Sequence, residues 1–224
     1  MQYNIIEIFD SLEGEGLRQG LAATFIRLAG CNLSCSWCDT KYASIEENII
    51  KMPLKKILER VNKAYKRVTL TGGEPLISEN IECLIKALIE DGNQVNIETN
   101  GSIDISKFRV VDNKNLFFTI DCKLITSCES EEMNWHNYFK FSNKNDCIKF
   151  IVGSEGDLKW LNRAMKSIIS VRNERNTLLD MPQIYIGAVA NKFDSKAIAD
   201  YILENPLLKD AKLQVQLHKV IGVK

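Results

Sequence analysis

Short apolar runs alternate with amphipathic stretches along most of the 224 residues, and this alternation restricts the fold more than any other feature. Ala22–Leu28, Arg67–Leu70, Gln94–Glu98, Leu116–Ile120, Cys147–Val152 and Gln183–Gly187 are short and rich in Ile, Val, Thr and Phe. They are bounded mostly by polar residues or Gly, so they are predicted strands. Helices are predicted between them. Pro53 opens one, with Leu54, Ile57, Leu58, Val61 and Ala64 at helical spacing. Ser78 reads as the N-cap of a second, carrying Ile81, Leu84, Ile85 and Leu88 and stopped by Gly92. Leu158, Leu161, Ala164, Met165, Ile168 and Ile169 trace a third apolar face, and Ala197, Ile198 and Tyr201 a fourth. Met133–Phe141 is ambiguous and expected to be partly loop.

Strands alternating with helices imply a parallel α/β sheet. About six units are present, fewer than the eight of a closed barrel. Lys212–His218 is expected to add a strand at the C-terminus. No linker or composition shift divides the chain, so residues 1–224 are read as one domain. Chemistry is expected at the carboxyl ends of the strands.

Lys and Arg total 29, as do Asp and Glu, which argues against gripping nucleic acid or an anionic membrane by bulk charge. No apolar run nears the roughly 18 residues of a membrane span. Met1–Asp10 lacks the features of a signal peptide, so the chain is expected to be cytoplasmic, where thiols stay reduced. The seven cysteines then need a reason other than disulfides.

Three of them fall in Gly30-Cys31-Asn32-Leu33-Ser34-Cys35-Ser36-Trp37-Cys38-Asp39-Thr40, directly after a predicted strand. The spacing C-x3-C-x2-C can converge on one metal centre. No fourth Cys or His lies nearby, since Cys83, His136 and His218 are remote in sequence. By spacing alone, an iron–sulfur cluster, a zinc loop borrowing a distant ligand and three unrelated thiols all remain open.

With Trp37 at the aromatic position, the segment resembles the radical S-adenosylmethionine (SAM) enzymes. That resemblance implies a partial (β/α)6 TIM-like barrel with a short N-terminal extension. Cys31, Cys35 and Cys38 would hold a [4Fe–4S] cluster whose open iron takes SAM, and reductive cleavage would give a 5′-deoxyadenosyl radical. Ser36, Trp37 and Asp39 would lie against SAM. Thr71-Gly72-Gly73-Glu74-Pro75 stands where the family has its GGEP turn, placing Gly73 and Glu74 at the methionine end. Glu98-Thr99-Asn100-Gly101 ends the next strand, which implies a SAM contact at Asn100.

Further segments narrow the resemblance. Ser11-Leu12-Glu13-Gly14-Glu15-Gly16, Ile26-Arg27-Leu28, Cys38-Asp39-Thr40, Asp121-Cys122-Lys123 and Gln214-Val215-Gln216-Leu217-His218-Lys219 occur in an order similar to that of the 7-carboxy-7-deazaguanine synthases. The implied substrate is 6-carboxy-5,6,7,8-tetrahydropterin, contracted with loss of ammonia to 7-carboxy-7-deazaguanine, in queuosine or deazapurine biosynthesis. Leu12, Glu13, Gly14, Arg27 and Thr71 would contact the pterin. Thr40 would ligate Mg2+, and Asp121, Cys122 and Lys123 would contact SAM. The resemblance also implies a homodimer and a flavodoxin or ferredoxin reductant.

Two departures stand out. Relatives commonly have Pro after the lysine, where this chain has Leu124-Ile125-Thr126, and no C-terminal substrate ligand is assigned before Lys224. Gln216 and His218 could line the pocket mouth. Cys83 reads as core, and Cys128 and Cys147 have no spacing partner. The alternatives are an activating enzyme for a glycyl-radical protein and a non-catalytic zinc or iron–sulfur module. The Ser11–Gly16 loop, Arg27 and Thr40 disfavour the first; the GGEP turn and the repeated strand–helix pattern disfavour the second.

Overall fold

The computed structural model describes residues 1–109, 111 and 114–223, with backbone alone for Glu46. Lys224 lies outside the described residues. The strands are β1 (Gln2–Leu12), β2 (Ala22–Leu28), β3 (Ile50–Pro53), β4 (Arg67–Gly72), β5 (Gln94–Thr99), β6 (Leu116–Cys122), β7 (Cys147–Val152), β8 (Gln183–Ala188) and β9 (Lys212–Gln214). The helices are α1 (Leu54–Arg60), α2 (Ile81–Glu90), α3 (Glu155–Glu174), α4 (Ser195–Glu204) and α5 (Leu217–Ile221). Among the described residues the strands form one open sheet, ordered β3-β1-β2-β4-β5-β6-β7-β8-β9. From β2 to β9 every neighbouring pair is parallel. β1 runs antiparallel to both β2 and β3. The parallel β2–β9 region is the expected α/β class, and the N-terminal extension is present as a strand paired antiparallel to it.

The central strands carry two chemically opposite faces. Val68 and Leu70, Val95 and Ile97, Phe118 and Ile120, Ile148 and Phe150, and Ile184 and Ile186 are buried in one core with Leu84 and Leu88 of α2, Leu161 and Ile168 of α3, and Ile198 of α4. The intervening residues include Thr69 and Thr71, Asn96 and Glu98, Thr119 and Asp121, and Lys149. Alternation along a strand sends these to the other face. The helices therefore cover the apolar face, while the polar face is left for chemistry.

Several boundaries differ from expectation. α1 stops at Arg60 instead of Ala64, because Asn62 leaves the helical path: its amide N–H donates to Thr24 Oγ1 at 3.1 Å and its Nδ2 to Asp10 at 2.8 Å. The N-cap of α2 is Asn80, held left-handed at φ 57°, while Ser78 closes the preceding turn. Gly92, at φ +86°, follows α2 as expected. The predicted strand Lys212–His218 ends at Gln214 and is followed by α5, because Gln214 Oε1 accepts the Gly16 amide at 2.9 Å and the Leu217 amide turns to Gly14 O at 3.0 Å.

Among the described residues, the crossovers β5–β6 and β6–β7 carry no α-helix. The ambiguous segment instead forms a π-helical turn, Asn137–Phe141. Asn137, wholly buried, accepts the Ile105 amide and donates to Gly101 O and Ile103 O, so one side chain ties the two crossovers together.

Candidate active site

The loops leaving β2, β4, β5 and β6 meet at the carboxyl end of the sheet. Gly30 leaves β2 at φ +89° and its carbonyl accepts the Glu74 amide at 2.9 Å. A Cβ on Gly73 would stand 2.2 Å from that same carbonyl and 2.6 Å from Cys31 Cβ. The paired glycines thus allow the turn to press against the cysteine loop. The Glu74 carboxylate is fully enclosed and accepts from the amides of Leu76 and Asn100 and from the Thr99 hydroxyl. Burial pushes it up to about 7. Its oxygens are engaged by the chain itself, so what this turn offers a ligand is main chain.

Cys31 and Cys35 are half-buried, Cys38 is exposed, and all three are free thiols. Burial pushes Cys35 up to about 11 and also raises Cys31. The loop is fastened from below: Ser36 N–H donates to Ser127 O at 3.0 Å and Ser34 N–H to Glu129 Oε1 at 2.6 Å. Cys31 Sγ accepts the Leu33 amide and Cys38 Sγ the Thr40 amide, each at 3.4 Å. Such donors stabilise charge on sulfur. Among the described residues no three His, Cys, Asp or Glu side chains converge on a single ion. The three thiols share one loop, and the thiolate donor set is the kind that holds an iron–sulfur cluster.

Beside this loop, the Trp37 Nε1 donor and the Asp121 Oδ1 acceptor are buried without hydrogen-bond partners. Asp121 Oδ1 is in ion contact with Lys149 Nζ at 3.2 Å, and Oδ2 accepts from Lys123 Nζ at 2.6 Å. The Lys123 ammonium lies 5.0 Å from the Trp37 ring centroid. Burial pushes Asp121 upward, but Lys123 and Lys149 outweigh it and hold the carboxyl below its ordinary value. The unmet Trp37 donor, beside the Lys123 cation and the Asp121 carboxylate, suits a ligand that carries amino, carboxylate and hydroxyl groups, as SAM does. Asn100 faces the cysteine loop, donating to Asn32 Oδ1 at 3.0 Å. Cys122 does not join this group: its thiol is buried in the apolar core, on the opposite face from Asp121 and Lys123.

The remaining expected residues line the polar face. Thr71 donates to Glu98 Oε2 at 2.9 Å and pairs in register with Arg27. Arg27 is bonded to Glu7 at 2.8 Å and lies over the rings of Phe9 and Tyr42. Glu13 is buried, raised by desolvation, and bonded to Arg18 at 3.1 Å and to the Thr69 hydroxyl. A Cβ on Gly14 would fall 1.9 Å from His218 Nδ1, so the C-terminal segment closes directly onto the Leu12–Gly14 loop. Gln216 Nε2 donates to Glu15 at 2.8 Å, and Lys219 Nζ to Asp39 at 2.7 Å. Thr40 Oγ1 donates to the other oxygen of Asp39 at 3.0 Å.

Glu15, Arg18, Glu98 and Lys149 also belong to this face, although no motif spacing in the sequence singles them out. Glu98 is pushed by burial up to about 7. Burial would depress the Lys149 ammonium, yet Asp121, Glu15 and Glu98 hold it well above its ordinary value. Arg18, with Nη1 buried and unpartnered, lines a cavity of about 310 Å³ with Glu15, Asn96, Phe117 and Thr119. The available signal was the alternation Gln94-Val95-Asn96-Ile97-Glu98 and Cys147-Ile148-Lys149, where polar residues interleave with core positions.

A parallel sheet with a three-cysteine loop at its carboxyl end defines a radical SAM protein, and the Radical SAM superfamily matches residues 25–121. Over 226 aligned positions the chain is 42% identical to the 7-carboxy-7-deazaguanine synthase of Clostridium acetobutylicum, covering 99% of this chain and 96% of that one. The synthase of Methanospirillum hungatei is 35% identical, over 98% of this chain and 85% of the relative. The chain belongs to the 7-carboxy-7-deazaguanine synthase family of radical SAM lyases. The crystal structure of QueE from Escherichia coli shares its fold, with TM-score 0.67 and 24% identity over 97% of this chain and 95% of that one.

Proposed function

We propose that this chain converts 6-carboxy-5,6,7,8-tetrahydropterin to 7-carboxy-7-deazaguanine with loss of ammonia. It does so as a cytoplasmic homodimer that uses Mg2+ and is reduced by a flavodoxin or ferredoxin. The observation that carries the reading is family membership along nearly the whole chain, joined to a polar sheet face beside the cysteine loop. Among the described residues no helix is long and apolar enough to cross a membrane.

Cys31, Cys35 and Cys38 would hold the cluster. Ser36, Trp37, Asp39, Asn100, Asp121 and Lys123 would surround SAM, together with the main chain of Gly73, Glu74 and Cys122. When bound, the cluster and SAM would supply the radical chemistry. The chain's own work is orientation and proton handling. Leu12, Glu13 and Gly14 form the edge against which a flat pterin would rest. Arg27 supplies a guanidinium for its carboxylate, with Thr71 beside it. Thr40 would offer its hydroxyl oxygen to Mg2+, a cation that prefers oxygen ligands and would supply positive charge for a bound carboxylate. Glu98, bonded to Thr71 and pushed by burial up to about 7, can hold or release a proton around neutrality on the same polar face.

The test is anaerobic reconstitution followed by incubation with reductant, SAM, Mg2+ and 6-carboxytetrahydropterin. 7-Carboxy-7-deazaguanine is the expected product. SAM cleavage without that product refutes the substrate, and zinc bound in place of iron refutes the radical chemistry.

A further inference from the structure

Lys149 stands in the middle of β7 with only 9% of its side chain exposed, and an ammonium so enclosed needs counter-charges. It takes them from two distant parts of the chain. Glu15 belongs to the loop that follows β1, directly after Leu12, Glu13 and Gly14; its Oε2 is ion-paired with Lys149. Asp121 is the penultimate residue of β6, and its Oδ1 lies 3.2 Å from the same ammonium. Asp121 Oδ2 then accepts from Lys123 at 2.6 Å, and Lys123 lies over Trp37 in the cysteine loop. On the other side, Glu15 Oε1 accepts from Gln216 at 2.8 Å. Glu98 of β5 adds its field to the same ammonium.

One side-chain chain, Glu15–Lys149–Asp121–Lys123–Trp37, therefore joins the loop assigned to the pterin with the segment assigned to SAM. We propose that Lys149 is a positioning residue that couples the binding of SAM to the binding of the pterin; the inference rests on the functional reading above. A ligand that orders Asp121 orders the shared ammonium, and the ammonium orders Glu15. The second ligand then finds its side of the site already arranged and binds more tightly. Linkage makes the effect reciprocal.

Equilibrium titrations on the reconstituted enzyme with the cluster left oxidised, so that no turnover occurs, measure this directly. SAM affinity is read with and without 6-carboxytetrahydropterin, and pterin affinity with and without SAM. Each ligand is expected to tighten the other by about 5-fold or more in the unaltered protein. In Lys149→Met that factor falls toward one, and Lys149→Arg restores part of it. If Lys149→Met does not fold, Glu15→Gln breaks the same chain while leaving Lys149 its Asp121 partner, and the same loss is expected. Unchanged coupling in a folded variant overturns the proposal, even where its melting temperature drops. So does an unaltered enzyme that binds both ligands with no mutual effect. An enzyme that loads iron and binds SAM but no pterin instead overturns the functional reading.

Discussion

The Glu74 carboxylate accepts the Thr99 hydroxyl on both of its oxygens, each at 3.0 Å, and so locks the turn after β4 to the end of β5. The Asn100 amide at 2.6 Å and the Leu76 amide at 2.9 Å complete its coordination. Glu74→Gln puts an NH2 group where acceptor oxygens are needed, leaving buried donors unmet. A loss of about 1–3 kcal/mol of stability is expected. Chemical denaturation of the purified protein checks this, and an unchanged midpoint would show that the clamp is dispensable.

Glu74 and Glu98 are both pushed up to about 7 from 4.5 by burial. A raised carboxyl pKa means that, between these two values, the folded chain binds more protons than the unfolded one. The stability these groups contribute is full below about 4.5 and is lost as pH rises through about 7. His218 is shifted downward by burial and works in the opposite direction over part of that range. The difference between the unaltered protein and Glu98→Gln isolates the carboxyl. From pH 5 to pH 8 the variant is expected to gain stability relative to the unaltered chain, measured by urea midpoints. A flat difference would place Glu98 at an ordinary pKa.

Thr40 hydrogen-bonds Asp39 and sits two residues beyond Cys38, yet its side chain supports nothing in the core. Thr40→Ala is therefore expected to keep full iron content while the Mg2+ dependence of product formation weakens. Iron analysis alongside an Mg2+ titration of the rate separates the outcomes. Lost iron would make Thr40 part of the cluster loop's framework instead.

The sequence revealed the strands more fully than the charges between them. β2 and β7 occur where their Val, Ile and Phe content placed them, because fully buried strands read as apolar runs. β1 and β3 escaped, since their pairing at the sheet edge mixes Gln2, Asn4 and Lys51 with apolar positions. The cysteine spacing was legible because three ligands must lie close in sequence on one loop. Lys149 and Glu15 were not, since their meaning depends on partners 134 residues apart. Glu74 was legible as a motif but not in its task, which only the Thr99 and Asn100 contacts reveal.

The opposed faces of the central sheet also bear on how the chain finds its fold. A slip of one residue in the backbone of β5, β6 or β7 would exchange the two faces of that strand. Glu98, Asp121 or Lys149 would then be driven into the apolar layer beneath the helices, and Ile97, Ile120 or Ile148 into the wet side. Either move is heavily penalised. The charges that arrange the site therefore also proofread strand alignment during folding, and neutralising one of them removes a safeguard on assembly as well as a contact with a ligand.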